Sequence, residues 1–269
     1  MRFGESGRET SQLRKMLMSR MFRSVTRTWN PQVGCLYNCV YCWARALAET
    51  KLKSSTRYQN GFKPLFINNE LRKRFKPGEF VFVTDMGDLF GPWVKHENIE
   101  AVLNCIAKWL ETTFLLQTKN PARFLEFRHI LPKNVYLGTT IETNDYFYKL
   151  TVPDAVATSL GEIIAIRKEN KITSAPAPFS RYEAMIDPGL RQFRKFVSIE
   201  PMMDFDLETM LNWMNKIAPS IIEVGADNYG HNLREPSWYK VQFLLGGLRA
   251  ICPDVKEKTG LERLEKIIR

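Results

Sequence analysis

Cys35, Cys39 and Cys42 stand in the run Cys35-Leu36-Tyr37-Asn38-Cys39-Val40-Tyr41-Cys42, a C-x3-C-x2-C spacing that puts three of the chain's five cysteines within eight residues. Thiols this close in sequence share one loop. An extended-looking segment, residues 26–33, leads into that loop, and the helix-like Trp43-Ala44-Arg45-Ala46-Leu47-Ala48-Glu49 follows it directly. The loop therefore lies at the C-terminal end of a strand, where open α/β sheets and β/α barrels place their active sites. The spacing is an iron-sulfur signature. Thiolates ligate such clusters, and a four-iron cluster held by only three of them keeps one iron open to bind something else.

The competing reading of the three thiols is a structural zinc site completed by a histidine. Only His96, His129 and His231 are available, and none lies within about fifty residues of Cys42. Disulfides are disfavoured, because the cysteines are few and clustered and no secretory apolar stretch is present. Cys105 and Cys252 each fall in helical stretches and read as small buried hydrophobes.

A chain of 269 residues with 44% hydrophobic content can bury one sizeable core. No apolar run approaches the roughly 20 residues of a membrane span, so a soluble, cytoplasmic protein that does not enter the membrane is expected. The formal charge is +10, and residues 1–28 supply half of it, through Arg2, Arg8, Arg14, Lys15, Arg20, Arg23 and Arg27 against Glu5 and Glu9. Such an N-terminal arm suits nucleic acid, bound through phosphates with affinity that falls steeply with salt. The alternative is a solvated helix packed on the main domain, residues 29–269.

Apolar, β-branched runs alternate with helical-period stretches at the spacing of βαβ units. Strands are predicted over residues 26–33, 80–84, 113–117, 135–140, 196–199 and 221–225. Helices are predicted to begin near Trp43, Glu97, Pro121, Asn144, Leu207 and Pro236, the last with proline at a plausible first helical position. Six parallel strands with intervening helices make an α/β fold, a partial (β/α)6 TIM-like barrel whose lateral opening admits a large substrate. Residues 170–187, with Pro176 and Pro178, form the longest irregular stretch and are expected to cover one face as a lid or a short extra helix. Tyr146, Phe147 and Tyr148 read as core or lid packing.

The cysteine run, with Tyr41 just before its last cysteine, resembles the radical S-adenosylmethionine superfamily. The wider text Thr28-Trp29-Asn30-Pro31-Gln32-Val33-Gly34-Cys35, with Ser198-Ile199-Glu200-Pro201 downstream, is similar to a branch described as phage-derived radical SAM proteins and, more distantly, to the spore photoproduct lyases. The resemblance implies the same partial barrel and a [4Fe-4S] cluster held by Cys35, Cys39 and Cys42. S-adenosyl-L-methionine would chelate the fourth iron, and an electron donor such as flavodoxin or ferredoxin would drive its cleavage to methionine and a 5'-deoxyadenosyl radical. The family places the aromatic before the last cysteine against the adenine, here Tyr41.

Polar residues at C-terminal strand ends point at the reaction site of such a barrel. The family's Gly-Gly-Glu-like turn after the second strand is absent. Acceptance of the methionine ammonium passes to Asp85 or Asp88 in Thr84-Asp85-Met86-Gly87-Asp88, and Asp88 also reads as a helix N-cap. Lys119 is placed to neutralise a cofactor carboxylate or a substrate phosphate. In Gly138-Thr139-Thr140-Ile141-Glu142, where the family binds the ribose, Glu142 is the first candidate acceptor for the diol and Thr140 the second. Ser198 and Glu200 share one strand face. Glu200 in an otherwise apolar strand calls for a partner such as an arginine, or the cofactor. Asp227, Asn228 and Tyr229 lie where substrate is expected, and Lys256 and Lys258 read as a charged terminal surface. The expected function is that of a radical SAM enzyme acting on a nucleic acid or nucleotide. A peptide or small-metabolite substrate, and a non-catalytic zinc-stabilised nucleic-acid-binding protein, are the alternatives.

Overall fold

The computed structural model describes residues 21–145 and 172–266. Seven strands, β1 (Arg27–Trp29), β4 (Phe80–Val83), β5 (Thr113–Thr118), β6 (Val135–Thr140), β7 (Arg194–Ile199), β8 (Ile221–Val224) and β9 (Val255–Glu257), form one sheet in that order. Every neighbouring pair in it is parallel. The fold is the expected α/β partial barrel, with one strand more than the six predicted. A short antiparallel ribbon, β2 (Gln32–Val33) with β3 (Leu65–Phe66), stands beside it. The stretch predicted as one strand over 26–33 is split because Pro31 has no amide to give a ladder. Asn30 and Pro31 carry the chain out of the sheet after Trp29.

Period-two alternation sorts each strand into two faces. Val81, Val83, Phe114, Leu116, Val135, Leu137, Val197, Ile199, Ile222 and Val224 face outward and build the main core with the helices. These helices include α2 (His96–Ile106), α4 (Leu207–Ile217) and α5 (Trp238–Ile251). Phe82, Leu115, Phe196 and Ile221 face inward and pack with Phe22 and Val25. The Phe22 ring lies 5.2 Å from Phe82 and 4.9 Å from Phe196. Beside it Glu223, fully buried, accepts hydrogen bonds from the backbone N–H of Arg23 and of Ser24, each at 2.8 Å. A buried carboxylate needs such donors. Residues 21–28 thus belong to the barrel, as a plug and its first strand. Residues 1–20 of the expected arm lie outside the described residues.

The remaining differences are local. The helix predicted from Pro121 is a 3-10 segment, Pro121–Phe127. The one predicted from Pro236 starts two residues later as α5, because the Ser237 hydroxyl accepts from the Lys240 N–H and caps it. The predicted covering segment contains α3 (Pro178–Met185). The helix expected from Asn144, and the aromatic cluster Tyr146 to Tyr148, lie outside the described residues. No helix among the described residues is long and apolar enough to cross a membrane.

Candidate active site

All seven parallel strands deliver a polar side chain from just beyond, or at, their C-terminal ends to one cavity of about 810 Å³: Asn30, Asp85, Lys119, Thr140, Glu200, Asp227 and Lys258. The same cavity is lined by Cys35, Cys39 and Cys42, which the loop between β2 and α1 (Trp43–Glu49) brings to its wall. That loop is anchored on Gly34. Its φ is +78°, and a Cβ there would stand 2.2 Å from the Lys63 carbonyl oxygen, so no other residue fits. Gly34 N–H donates to the Met86 carbonyl at 2.8 Å, which ties the cysteine loop to the turn after β4. At the far end the Cys42 sulfur caps α1 by accepting from the Arg45 N–H at 3.4 Å.

A segment distant in sequence clasps the same loop. The Ile172 carbonyl accepts from Val40 N–H at 2.9 Å, Ser174 N–H donates to the Tyr37 carbonyl at 2.6 Å, and the Thr173 hydroxyl lies 3.1 Å from the Cys39 sulfur. Burial pushes the Cys35 thiol far above its ordinary value, helped by the Asp88 charge, and burial likewise raises Cys42. A metal that binds them displaces their protons. Among the described residues no three His, Cys, Asp or Glu side chains are placed to hold a single ion. A tetrahedral zinc would need its sulfurs about 3.8 Å apart around one point. Ligands that each serve a different iron of a cube need no such convergence. Cys35, Cys39 and Cys42 stand as three thiols on one cavity wall.

The carboxylates separate by environment. Asp88 accepts from the Phe90 N–H at 3.0 Å, the Thr118 hydroxyl at 2.6 Å and the Lys119 N–H at 3.0 Å, binding the turn after β4 to the end of β5. Asp85 accepts from the Asn30 side-chain amide at 2.5 Å, and burial raises both aspartates above their ordinary range. Thr84, before it, has φ +64° and a buried hydroxyl without a partner among the described residues.

Glu142 is not where a ligand reaches it. It is fully buried and absent from the cavity wall, and its Oε1 accepts from the Tyr41 hydroxyl at 2.5 Å and from the Lys119 ammonium. Its Oε2 accepts from Arg181, also fully buried, at 2.7 Å. Burial alone would raise its pKa, but the Arg181 and Lys119 charges prevail and hold it at about 2. Thr140 does line the cavity, its hydroxyl accepting from the Gln117 amide at 3.0 Å. Of the two expected ribose-side acceptors, Thr140 lines the cavity and Glu142 lies behind its wall. Glu142 instead fixes the Tyr41 ring, with the Lys119 ammonium 5.2 Å from its centroid.

Glu200 finds its partner in Lys258 rather than in an arginine, which corrects the reading of Lys258 as terminal surface. Burial raises the Glu200 pKa, and the Glu223 charge adds to this. Lys256 binds Asp254 at 2.6 Å and the Ser24 hydroxyl at 2.8 Å. Ser198 is buried below the cavity and does not line it. Asp227, Asn228 and Tyr229 all line it, and Tyr229 is 76% exposed at its mouth.

The family described as protein of unknown function (DUF5131) matches residues 21–157, over half of the 269. The chain belongs to that family. No curated protein matches this DUF5131 chain in sequence. Among solved structures it is similar to a cysteine-to-alanine variant of spore photoproduct lyase, with a TM-score of 0.54 at 9% identity, covering 84% of this chain and 74% of that one. Spore photoproduct lyase complexed with dinucleoside spore photoproduct gives 0.52 at 8% identity, with 84% and 74% covered. SuiB of Streptococcus suis, bound to the precursor peptide SuiA, gives 0.49 at 11% identity, with 97% of this chain and 54% of that one covered. The lyase structures share the fold of this chain.

Thr173, Arg181, Gln117 and His231 are site residues that the sequence reading did not single out. Gln117 carried a signal, two residues before Lys119 on the inward face of β5. His231 carried another, as a histidine four residues beyond Asp227.

Proposed function

We propose that this chain is a radical S-adenosylmethionine enzyme of the phage-derived branch, with nucleic acid as its substrate. One observation carries the reading: the three cysteines of the C-x3-C-x2-C motif and the polar ends of all seven parallel strands line the same cavity. A fold shared with spore photoproduct lyase, from the superfamily that the motif resembles, supports it. A [4Fe-4S] cluster with S-adenosylmethionine supplies, when bound, the electron that cleaves the sulfonium and the 5'-deoxyadenosyl radical that abstracts hydrogen.

The chain's own residues have separable tasks. Cys35, Cys39 and Cys42 hold the cluster, and Tyr41 offers the adenine a ring face whose hydroxyl Glu142 has already fixed. The ammonium acceptor is Asp85, because three donors engage Asp88 in joining β4 to β5. Thr140 and Gln117 meet ribose hydroxyls, and Lys119 presents positive charge to a carboxylate or phosphate. Asn228 and Tyr229 face the substrate, with Asp227 behind them on the same wall. A charge of +10, half of it in residues 1–28, favours a polyanion, and the lyase complexed with a dinucleoside photoproduct shows such a fold accommodating nucleic-acid fragments.

Anaerobic reconstitution followed by iron and sulfide analysis, and by chromatography for methionine and 5'-deoxyadenosine after adding reductant, tests the cofactor reading. Colourless protein without iron sinks it. Incubation of the same protein with DNA and RNA, digested and analysed by mass for modified nucleosides, tests the substrate; a product on peptide or small metabolite alone would displace the nucleic-acid reading.

A further inference from the structure

His231 is the one histidine on the cavity wall. It sits in the loop after β8, with the Tyr229 ring centroid 6.1 Å from its own and Asp227 holding its Nδ1. Asp227 Oδ1 lies 2.5 Å from His231 Nδ1, while Asp227 Oδ2 accepts from the His231 backbone N–H at 2.6 Å. Both oxygens of one carboxylate therefore grip the same residue. The grip is itself braced: the Asp227 N–H donates to Glu235 at 2.9 Å, and the Asp227 carbonyl accepts from Arg263 at 2.6 Å. Arg263 also pairs with Glu235, closing the ring of contacts. The Asp227 side chain is 3% exposed and that of His231 25%.

A carboxylate accepts hydrogen bonds and does not donate them, so the contact at Nδ1 places a ring hydrogen there, and in the neutral imidazole Nε2 then carries the lone pair. Among the described residues no hydrogen-bond partner meets Nε2. His231 lines the same cavity as Asn228 and Tyr229.

We propose that His231 is the proton acceptor on the substrate side of this cavity. Its Nε2 takes the proton of a substrate hydroxyl, amide or imide, the electron pair of the broken O–H or N–H bond staying on the substrate. The imidazolium so formed is stabilised by Asp227 and gives the proton back in a later step. Asp227 is the positioning residue that sets the tautomer. A nucleobase imide has such a proton. The proposal rests on the reading of the cavity as an active site.

The test uses the full chain labelled with 15N-histidine, with long-range proton–nitrogen correlation near neutral pH and assignment by His231→Gln. The expected result is the Nδ1–H tautomer at His231, converted to Nε2–H by Asp227→Asn. Diethyl pyrocarbonate, a probe for an unprotonated imidazole nitrogen, is expected to label His231 in the native protein and to stop doing so in Asp227→Asn. An Nε2–H tautomer in the native chain, an inert His231, or indifference to Asp227→Asn overturns the proposal. In the nucleic-acid incubation, His231→Ala should lower product by at least about a hundredfold, the scale of general base catalysis, with partial rescue by added imidazole; undiminished product also overturns it. Iron content and cofactor cleavage of the native protein are read on the same samples. Their absence would sink the radical reading while the tautomer and labelling results stand on their own.

Discussion

Glu142→Gln separates a pin of the site from a ligand contact, and its cost can be worked in two ways. The variant keeps the shape and removes the carboxylate charge that faces fully buried Arg181 and largely buried Lys119. Breaking a buried ion pair from one side costs about 3–5 kcal/mol. The proton equilibrium gives a second figure. The pKa falls from its ordinary 4.5 to about 2 in the folded chain, which at roughly 1.4 kcal/mol per pH unit corresponds to about 3 kcal/mol. The folded pKa lies below the unfolded one. The stabilisation is therefore complete above pH 4.5 and is lost as pH falls from there through about 2. Urea unfolding at neutral pH should show the variant less stable by about 3 kcal/mol, and the gap should shrink by about 1 kcal/mol by about pH 3.5. A deficit under about 1 kcal/mol at neutral pH, where a stranded charge costs far more, or a gap that ignores pH, refutes this account of the Glu142 cluster.

Replacing Cys35, Cys39 or Cys42 by alanine should abolish iron loading, whereas Cys105→Ala and Cys252→Ala should retain it; full iron in Cys39→Ala overturns the ligand set. Thr140→Ala should weaken S-adenosylmethionine binding by the cost of a lost acceptor, about 1–3 kcal/mol, measured by calorimetry on the reconstituted protein; an unchanged Kd would remove Thr140 from the ribose contact. Deleting residues 1–20 should lower the salt dependence of nucleic-acid binding by about one log-log unit per lost phosphate contact and spare thermal stability. Phe22→Ala, by contrast, should destabilise the fold by about 3–5 kcal/mol, and a variant as stable as the parent would show that the plug does not seal the barrel.

What could be read from the sequence was what repeats along the chain. The strands β4 to β8 announce themselves as apolar runs bounded by turns, and the rule that barrel chemistry sits at C-terminal strand ends led to Asp85, Lys119, Thr140, Glu200 and Asp227. β9 escaped because Val255–Glu257 is three residues long, partly exposed, and carries two charges in three positions. Its discovery also reassigns Lys258, which follows a strand end and not a ragged terminus. Glu142 was visible as a carboxylate after an apolar strand, but its role was set by Arg181, 39 residues on, and by burial that no local pattern encodes. Thr173 lies 134 residues from Cys39, in a stretch with no periodic signal at all.

The plug explains how the inside of an incomplete barrel is divided. Phe22 and Val25 fill the bore between Phe82, Leu115, Phe196 and Ile221, so the lower half is an apolar core and only the upper half is a cavity. The boundary between them is charged on one side: Lys258 lies 4.8 Å from the Phe22 ring centroid and reaches up to Glu200, while Glu223 below is held by the Arg23 and Ser24 amides. Met21, Arg23 and Val25 themselves line the cavity floor. Charge and an aromatic anchor thus occur side by side at Arg20, Phe22 and Arg23, with Phe22 sealing the bore.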